Sequence, residues 1–288
     1  MTGMNYSYGR TRPPVVIKYG GAAMIDNDLK KSFIEDVISL AHAGIAPVIV
    51  HGGGKEISAT ASALGVETTF IDGERHTGPE MIRVVTMVLA GAINKELVAM
   101  LLSGGARAAG LSGIDGGMLT TRRRREHLGL VGDIVEVDIT LVRLLLDAGI
   151  IPVIAPAGVG YNGEIHNVNA DRAASAIAGA LEGASLVYLS DVPGIMVDGK
   201  VVPTLTGTRA MELMDSGEIS GGMIPKVTSA LASLDTGVAE VRIVDGRSRH
   251  ALLRALTTAE EGTAIINEEP GVSSFREDRT NEQAFPIA

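Results

Sequence analysis

Val15-Val16-Ile17-Lys18-Tyr19-Gly20-Gly21 and, further along, Pro47-Val48-Ile49-Val50-His51-Gly52-Gly53-Gly54 share one design: a short β-branched run that ends on polar residues and breaks into glycine. Between them, residues 28–43 put Phe33, Ile34, Val37, Ile38 and Ala41 on one helical face. Gly44 stands where a helix C-terminus takes a left-handed residue. After the second run, residues 55–64 read as another helix, stopped by Gly65. Strand, glycine turn and helix, repeated, is the unit of a parallel sheet.

The pattern extends outward. Pro79 opens a helical stretch to about Ser103 whose apolar positions (Met81, Ile82, Val85, Val88, Leu89, Ile93, Leu97, Met100) cover more than one stripe. Part of that helix therefore faces something besides its own core. Residues 111–137 read as hairpin and loop, and Asp138 can cap a helix over 139–148 that Gly149 ends. Residues 150–154 form a buried strand, 171–183 an alanine-rich helix, and 185–189 another strand. Pro225 opens a further helix, and the strands 240–244 and 263–266 flank a helix at 248–256. From about residue 267 the pattern is lost and the chain reads as a tail. The expected fold is α/β: a three-layer αβα sandwich around a mainly parallel sheet.

Composition narrows the function. In 288 residues, 25 Lys+Arg stand against 34 Asp+Glu, a net charge of −9 with no basic stripe, which argues against a nucleic-acid binder. There is no Cys, so disulfides, thiolate zinc sites and thiol nucleophiles are excluded. No uninterrupted apolar run reaches the ~18 residues of a membrane span, and the polar stretch from Met1 to Arg12 has no signal-peptide core. A soluble, cytoplasmic protein is expected. With 3% aromatics and no Trp, the core must be built from aliphatic residues.

Ligands of open parallel sheets collect beyond the carboxyl ends of the strands. Four polar segments fall at such ends: Lys18-Tyr19-Gly20-Gly21, His51-Gly52-Gly53-Gly54, Asn167-Val168-Asn169-Ala170-Asp171 and Ser190-Asp191-Val192-Pro193-Gly194. Glycine admits an anion to backbone N–H groups, so four such turns with a lysine at the first point to phosphate. The P-loop spacing is absent, and the glycine turn His51-Gly52-Gly53-Gly54-Lys55 lacks the dinucleotide Gly-x-Gly-x-x-Gly spacing. Lys18, and Lys226 after Gly221-Gly222-Met223-Ile224-Pro225, are lysines set in glycine and apolar residues at strand–helix junctions. Two converging lysines suit phosphoryl transfer, which needs positive charge on the moving group and little covalent help. Asp171 orients them or, equally, serves only as the N-cap of its helix. The six histidines are scattered, with His51 a hydrogen-bonded turn residue rather than a base. The Arg122–Arg125 run reads as a solvated loop or hairpin face, with binding of an acidic substrate or a partner protein as the sharper alternative.

These segments, with Gly110-Leu111-Ser112-Gly113 and Ser190 to Ile195, resemble in order and over about residues 14–266 the acetylglutamate kinases of the amino acid kinase family. The resemblance implies ATP-dependent phosphorylation of the side-chain carboxylate of N-acetyl-L-glutamate to an acyl phosphate, in arginine biosynthesis. By position, Lys18 and Lys226 would stabilise the transferring phosphoryl group and Asp171 would orient both. Gly53, Gly54, Arg75, Asn167 and Asn169 would hold the acceptor, Arg75 through its α-carboxylate. Gly20 and Gly21 would bind phosphate, and Ser190, Asp191 and Gly194 would border the nucleotide, with Mg2+ arriving on ATP. No metal site of the chain's own is implied. Residues 1–182 would form the acceptor lobe and 183–288 the nucleotide lobe. A homodimer through the apolar surplus of the Pro79–Ser103 helix is expected, and a hexamer with strong arginine inhibition is not, because residues 1–14, with Gly9, Pro13 and Pro14, are too broken for the N-terminal helix of arginine-inhibited members.

The family usually carries Gly-Leu-Arg-Val-Thr-Asp where this chain has Gly73-Glu74-Arg75-His76-Thr77-Gly78, so His76 and Gly78 bear on the acceptor pocket. An acetylaminoadipate kinase with the same chemistry, and a non-catalytic effector-binding relative, are the alternatives. Joint retention of Lys18, Asp171 and Lys226 disfavours the second.

Overall fold

The computed structural model describes residues 13–24, 26–258 and 261–267, so Met1 to Arg12 and the tail beyond residue 267 lie outside the described residues. In chain order the main elements are β1 (Pro14–Tyr19), α1 (Asn27–His42), β2 (Ala46–His51), α2 (Gly54–Ala63), α3 (Pro79–Ser103) and β3 (Ala108–Ser112). They continue as α4 (Thr140–Asp147), β4 (Ile151–Ala155), α5 (Ala170–Ala180), β5 (Ser185–Ser190), β6 (Thr204–Thr206) and α6 (Gly207–Asp215). The last are α7 (Met223–Asp235), β7 (Glu240–Asp245), α8 (Ala251–Thr257) and β8 (Thr263–Ile266).

Eight strands form one sheet in the order β6-β8-β7-β5-β1-β2-β4-β3. From β7 to β3 every pairing is parallel; β8 runs antiparallel to β7, and β6 parallel to β8. The chain leaves β1 toward β2 on one side and later returns to β5 on the other. That reversal is where an open parallel sheet leaves a crevice.

Alternation along β1 sorts its side chains. Val15, Ile17 and Tyr19 join the apolar layer of α1, α3 and α8 with Phe33, Leu40, Leu97 and Leu252. Val16 joins the opposite layer with Ile177 of α5 and Ala230 of α7. Lys18, next but one after Val16, therefore emerges on the α5 and α7 side. Val15, Val16 and Ile17 are fully buried, each contributing roughly 1.5–3 kcal/mol. Tyr19 stacks on Phe33 with ring centroids 3.8 Å apart and donates its hydroxyl to Ala23 O at 2.8 Å.

Three readings need correction. The stretch read as hairpin and loop is preceded by β3, an edge strand of the main sheet that reaches Ser112; its Ala-Ala-Gly-Leu-Ser sequence has no β-branched residue to announce it. Leu119–Arg123 and Gly132–Val137 do pair as a hairpin, and they belong to a second, four-stranded sheet with Ala157–Val159 and Ile165–Asn167. Helix α6 was not read, and α7 begins at Met223, leaving Pro225 inside its first turn. There proline costs little, because the first N–H groups of a helix have no partner within it.

Helix α3 is long and apolar enough to cross a membrane by length and composition, with a mean hydropathy of 1.7. Its Met81, Val84, Val85, Val88, Leu89, Ile93, Leu97 and Leu101 are buried in the core, so it is a core helix. Its middle, Met87–Ile93, is a π-helical segment between two α-helical halves.

Candidate active site

Lys18 Nζ lies 3.0 Å from Asp171 Oδ1, close enough for an ion pair but off the axis of a hydrogen bond. Asn169, at the N-cap of α5, accepts from the N–H groups of Asp171 and Arg172 at 2.8 and 3.2 Å. The reading of Asp171 as the cap is thus overturned. The earlier Asn169 takes that role, and the Asp171 carboxylate turns toward Lys18.

Both residues line a cleft of about 530 Å³ with Gly20, Gly21, Gly52, Gly53, Gly54, Lys55, Ser58, Phe70, Arg75 and Asn169. Gly53 needs its missing side chain, because a Cβ there would come within 2.7 Å of Leu89 Cδ2 on α3 and closer still to Ile93. The glycine turn that lines the cleft is thus backed by the π-helical segment pressed against it.

Arg75 is 8% exposed. Its Nη2 donates to Gly54 O at 2.7 Å and Ser58 Oγ at 2.8 Å, and its guanidinium lies 4.8 Å from the centroid of Phe70. Among the described residues no carboxylate pairs with it. Burial alone pushes its pKa below the ordinary value, so a carboxylate ligand would relieve a desolvated cation.

A smaller recess adjoins the cleft at Lys18 and Asp171 and is lined further by Tyr188, Leu189, Ser190, Lys226 and Ser229. The structure therefore gathers both lysines and Asp171 around one space. Asp171 pairs with Lys18 only, whereas Lys226 Nζ lies 3.8 Å from Asp191 Oδ1.

Four expected residues lie differently. Asn167 is not in the cleft lining, and its amide donates to Thr77 Oγ1 at 3.2 Å. Gly194 lines neither space; it is pinned under β8, where a Cβ would sit 2.7 Å from Thr263 Oγ1. His76 is exposed, and neither it nor Gly78, the N-cap of α3, lines the cleft. The sequence reading missed Ser58 and Phe70, which hold Arg75, and Tyr188 and Ser229 beside the lysines. Ser58 had a signal: four residues after Gly54, it shares that residue's helical face.

His51 is buried, its Nδ1 2.9 Å from Gly52 O and its Nε2 3.3 Å from Asn94 Nδ2. Burial lowers its pKa to about 4. It is a neutral structural residue beneath the glycine turn. Three of the four arginines of the run are paired: Arg123 with Glu164, Arg124 with Glu74 and Asp133, and Arg125 with Asp72.

The arrangement offers a carboxylate-binding cation at one end of a cleft and two lysines with an aspartate at the other. Positive charge there can stabilise a phosphoryl group in transit. A carboxylate acceptor is already a nucleophile, and no histidine lines the cleft.

The sequence profile of the amino acid kinase family matches residues 13–245, and the chain belongs to that family. Its curated relatives include the acetylglutamate kinase of Chlorobaculum tepidum, 46% identical over 256 residues, covering 88% of this chain and 90% of that protein. The acetylglutamate kinase of Caldanaerobacter subterraneus subsp. tengcongensis is 45% identical over 261 residues, covering 88% and 87%. Among solved structures, N-acetylglutamate synthase from Neisseria gonorrhoeae, complexed with coenzyme A and N-acetyl-glutamate, superposes with a TM-score of 0.77 at 28% identity. That match covers 89% of this chain, which spans only 60% of the synthase. Carbamate kinase from Giardia lamblia bound to AMP-PNP shares the fold, with a TM-score of 0.66, 18% identity, and coverage of 89% of this chain and 99% of that one.

Proposed function

We infer that this protein transfers the γ-phosphoryl group of ATP to the side-chain carboxylate of N-acetyl-L-glutamate, giving an acyl phosphate for arginine biosynthesis. The observation that carries this reading is the unpaired, buried Arg75 facing the same cleft as the Lys18–Asp171 pair. Arg75 takes the α-carboxylate in a guanidinium fork, while Gly53, Gly54 and Asn169 frame the acetyl and amide groups. The side-chain carboxylate then reaches toward Lys18, where the phosphoryl group arrives from the Lys226 side. Lys18 and Lys226 neutralise charge on the group in transit, and Asp171 holds Lys18 in place.

Gly20 and Gly21 approach the phosphates through backbone N–H groups, and Ser190 and Asp191 border the nucleotide. Magnesium travels with ATP, held mainly by its phosphates and water. This fits the site, where Asp171 and Asp191 already face lysines. Residues up to 182 supply the acceptor side and residues from 183 the nucleotide side, with one sheet running through both. The enzyme works in the cytoplasm as a homodimer joined along α3, whose Met87 and Leu102 are exposed. Light scattering giving a monomer would remove the dimer.

The test is ATP consumption by purified protein, with Mg2+, against a panel of N-acetylated acidic amino acids. Turnover with acetylglutamate above all others is expected. Equal ATP consumption with and without every acceptor would overturn the assignment.

A further inference from the structure

Four charged side chains outside the cleft close a ring. Arg124 Nε lies 2.9 Å from Glu74 Oε2, and its Nη1 2.5 Å from Asp133 Oδ1. Arg172 completes the circuit, with Nη2 3.4 Å from Glu74 Oε1 and Nη1 3.2 Å from Asp133 Oδ1. Each arginine touches both acids, each acid touches both arginines, and the charges cancel. All four side chains are partly shielded, the most exposed being Arg172 at 39%. Burial works against the charge of Arg124, yet Asp133 and Glu74 together hold its pKa above the ordinary value.

The ring's place in the chain matters more than its strength. Glu74 immediately precedes Arg75 in a two-residue strand, and Arg172 immediately follows Asp171 in the first turn of α5. Arg124 and Asp133 stand on the second sheet's hairpin, between the two. An exposed ion pair contributes little to stability, because solvent screens it and holding long side chains costs entropy. A closed, half-buried circuit that spans three elements instead fixes their spacing, since a move of any one strains two contacts.

We propose that the ring Arg124–Glu74–Arg172–Asp133 is a positioning device that locks the strand carrying Arg75 to the helix turn carrying Asp171, so that acceptor grip and phosphoryl-transfer pair keep a fixed separation. This rests on the kinase reading above. Its consequence is that loosening the ring harms both ends of the cleft without removing a group that touches substrate. The site borders of Ser190 and Lys226 are not attached to the ring and keep their geometry.

The test uses Glu74→Gln and Arg172→Gln, each nearly isosteric or shorter without charge, together with the double variant and Arg172→Lys. Steady-state kinetics and amide hydrogen exchange are measured on each. With active wild-type protein, each single variant should raise KM for acetylglutamate and lower kcat, together by roughly 10- to 100-fold in kcat/KM. KM for ATP should stay unchanged, the double variant should be no worse than the worse single, and Arg172→Lys should recover part of the loss. Exchange at residues 75 and 171–172 should quicken. A lowered melting temperature with both KM values and kcat intact would reduce the ring to a stabilising element and overturn the proposal. If wild-type protein phosphorylates no acceptor, the kinase reading falls instead. The ring is then judged on exchange alone: quickening at both segments upholds it, and unchanged rates overturn it.

Discussion

Asn169 Oδ1 accepts the backbone N–H of Asp171 at 2.8 Å, and by doing so frees the Asp171 carboxylate to lie 3.0 Å from Lys18. Two residues with the same capping talent stand two positions apart, and the helix uses the first. Replacing Asn169 by Ala should cost about 1 kcal/mol of stability. It should also slow turnover, since the first-turn N–H groups then compete for the Asp171 carboxylate. Asn169→Ser keeps a cap and should recover most of the stability in urea denaturation. Full activity in Asn169→Ala would show that the cap does not matter to the pair.

Lys18→Ala and Lys226→Ala should each lower kcat by about 10²–10³-fold, because a preorganised charge acts mainly on the transition state. Circular dichroism should be unchanged, as both side chains are partly solvent-exposed. Near-normal turnover in both variants would remove the lysines from the mechanism.

Arg75→Lys should raise KM for acetylglutamate sharply, because a single ammonium cannot serve Gly54, Ser58 and a substrate carboxylate at once. Acetylaspartate and acetylaminoadipate, one methylene shorter and longer, should be poorer acceptors by roughly 10–200-fold. Since His76 and Gly78 do not line the cleft, restoring an apolar residue at position 76 should leave this ranking unchanged. A reversal in favour of acetylaminoadipate in competition assays would reassign the acceptor.

Acid should destabilise the fold through His51. Its folded pKa of about 4 lies below the ordinary 6.5, so between those values the unfolded chain binds a proton that the folded one refuses. Stability therefore falls as pH drops from 6.5 toward 4, by up to roughly 3 kcal/mol, and is unaffected by this group above pH 6.5. Urea denaturation across that window should show a shallower slope for His51→Asn than for wild type. Parallel slopes would place the acid sensitivity elsewhere.

The parallel core was legible because β1, β2, β4 and β5 are buried on both faces, which forces continuous apolar runs that glycine then interrupts. β3 and the second sheet were not, because an edge strand such as Ala108–Ser112 needs few bulky residues on its open side. In the site, Lys18 and Lys226 stood out by their glycine surroundings. The partition of the carboxylates did not: which of Asn169 and Asp171 caps α5, and that Lys226 faces Asp191, depend on side-chain directions that spacing leaves open. The ion ring was invisible for the same reason. Its members come from three separate stretches of chain, around Glu74, the hairpin of Arg124 and Asp133, and Arg172, and spacing alone does not bring these together.

The π-helical segment Met87–Ile93 amounts to one residue more than an α-helix would use over the same turns. Each residue turns an α-helix by about 100°, so the surplus rotates everything after it by that angle. The rotation brings Asn94, fully buried, to donate to Leu111 O and Val153 O at the strand ends, while Leu89 and Ile93 press on Gly53. Excising a single residue there would heal the helix and make it locally more regular. It would also swing Asn94 away from the sheet and remove the packing of Leu89 and Ile93 behind Gly53. In this chain the irregular turn sets that angle, and a shorter, smoother helix would be the more damaging sequence.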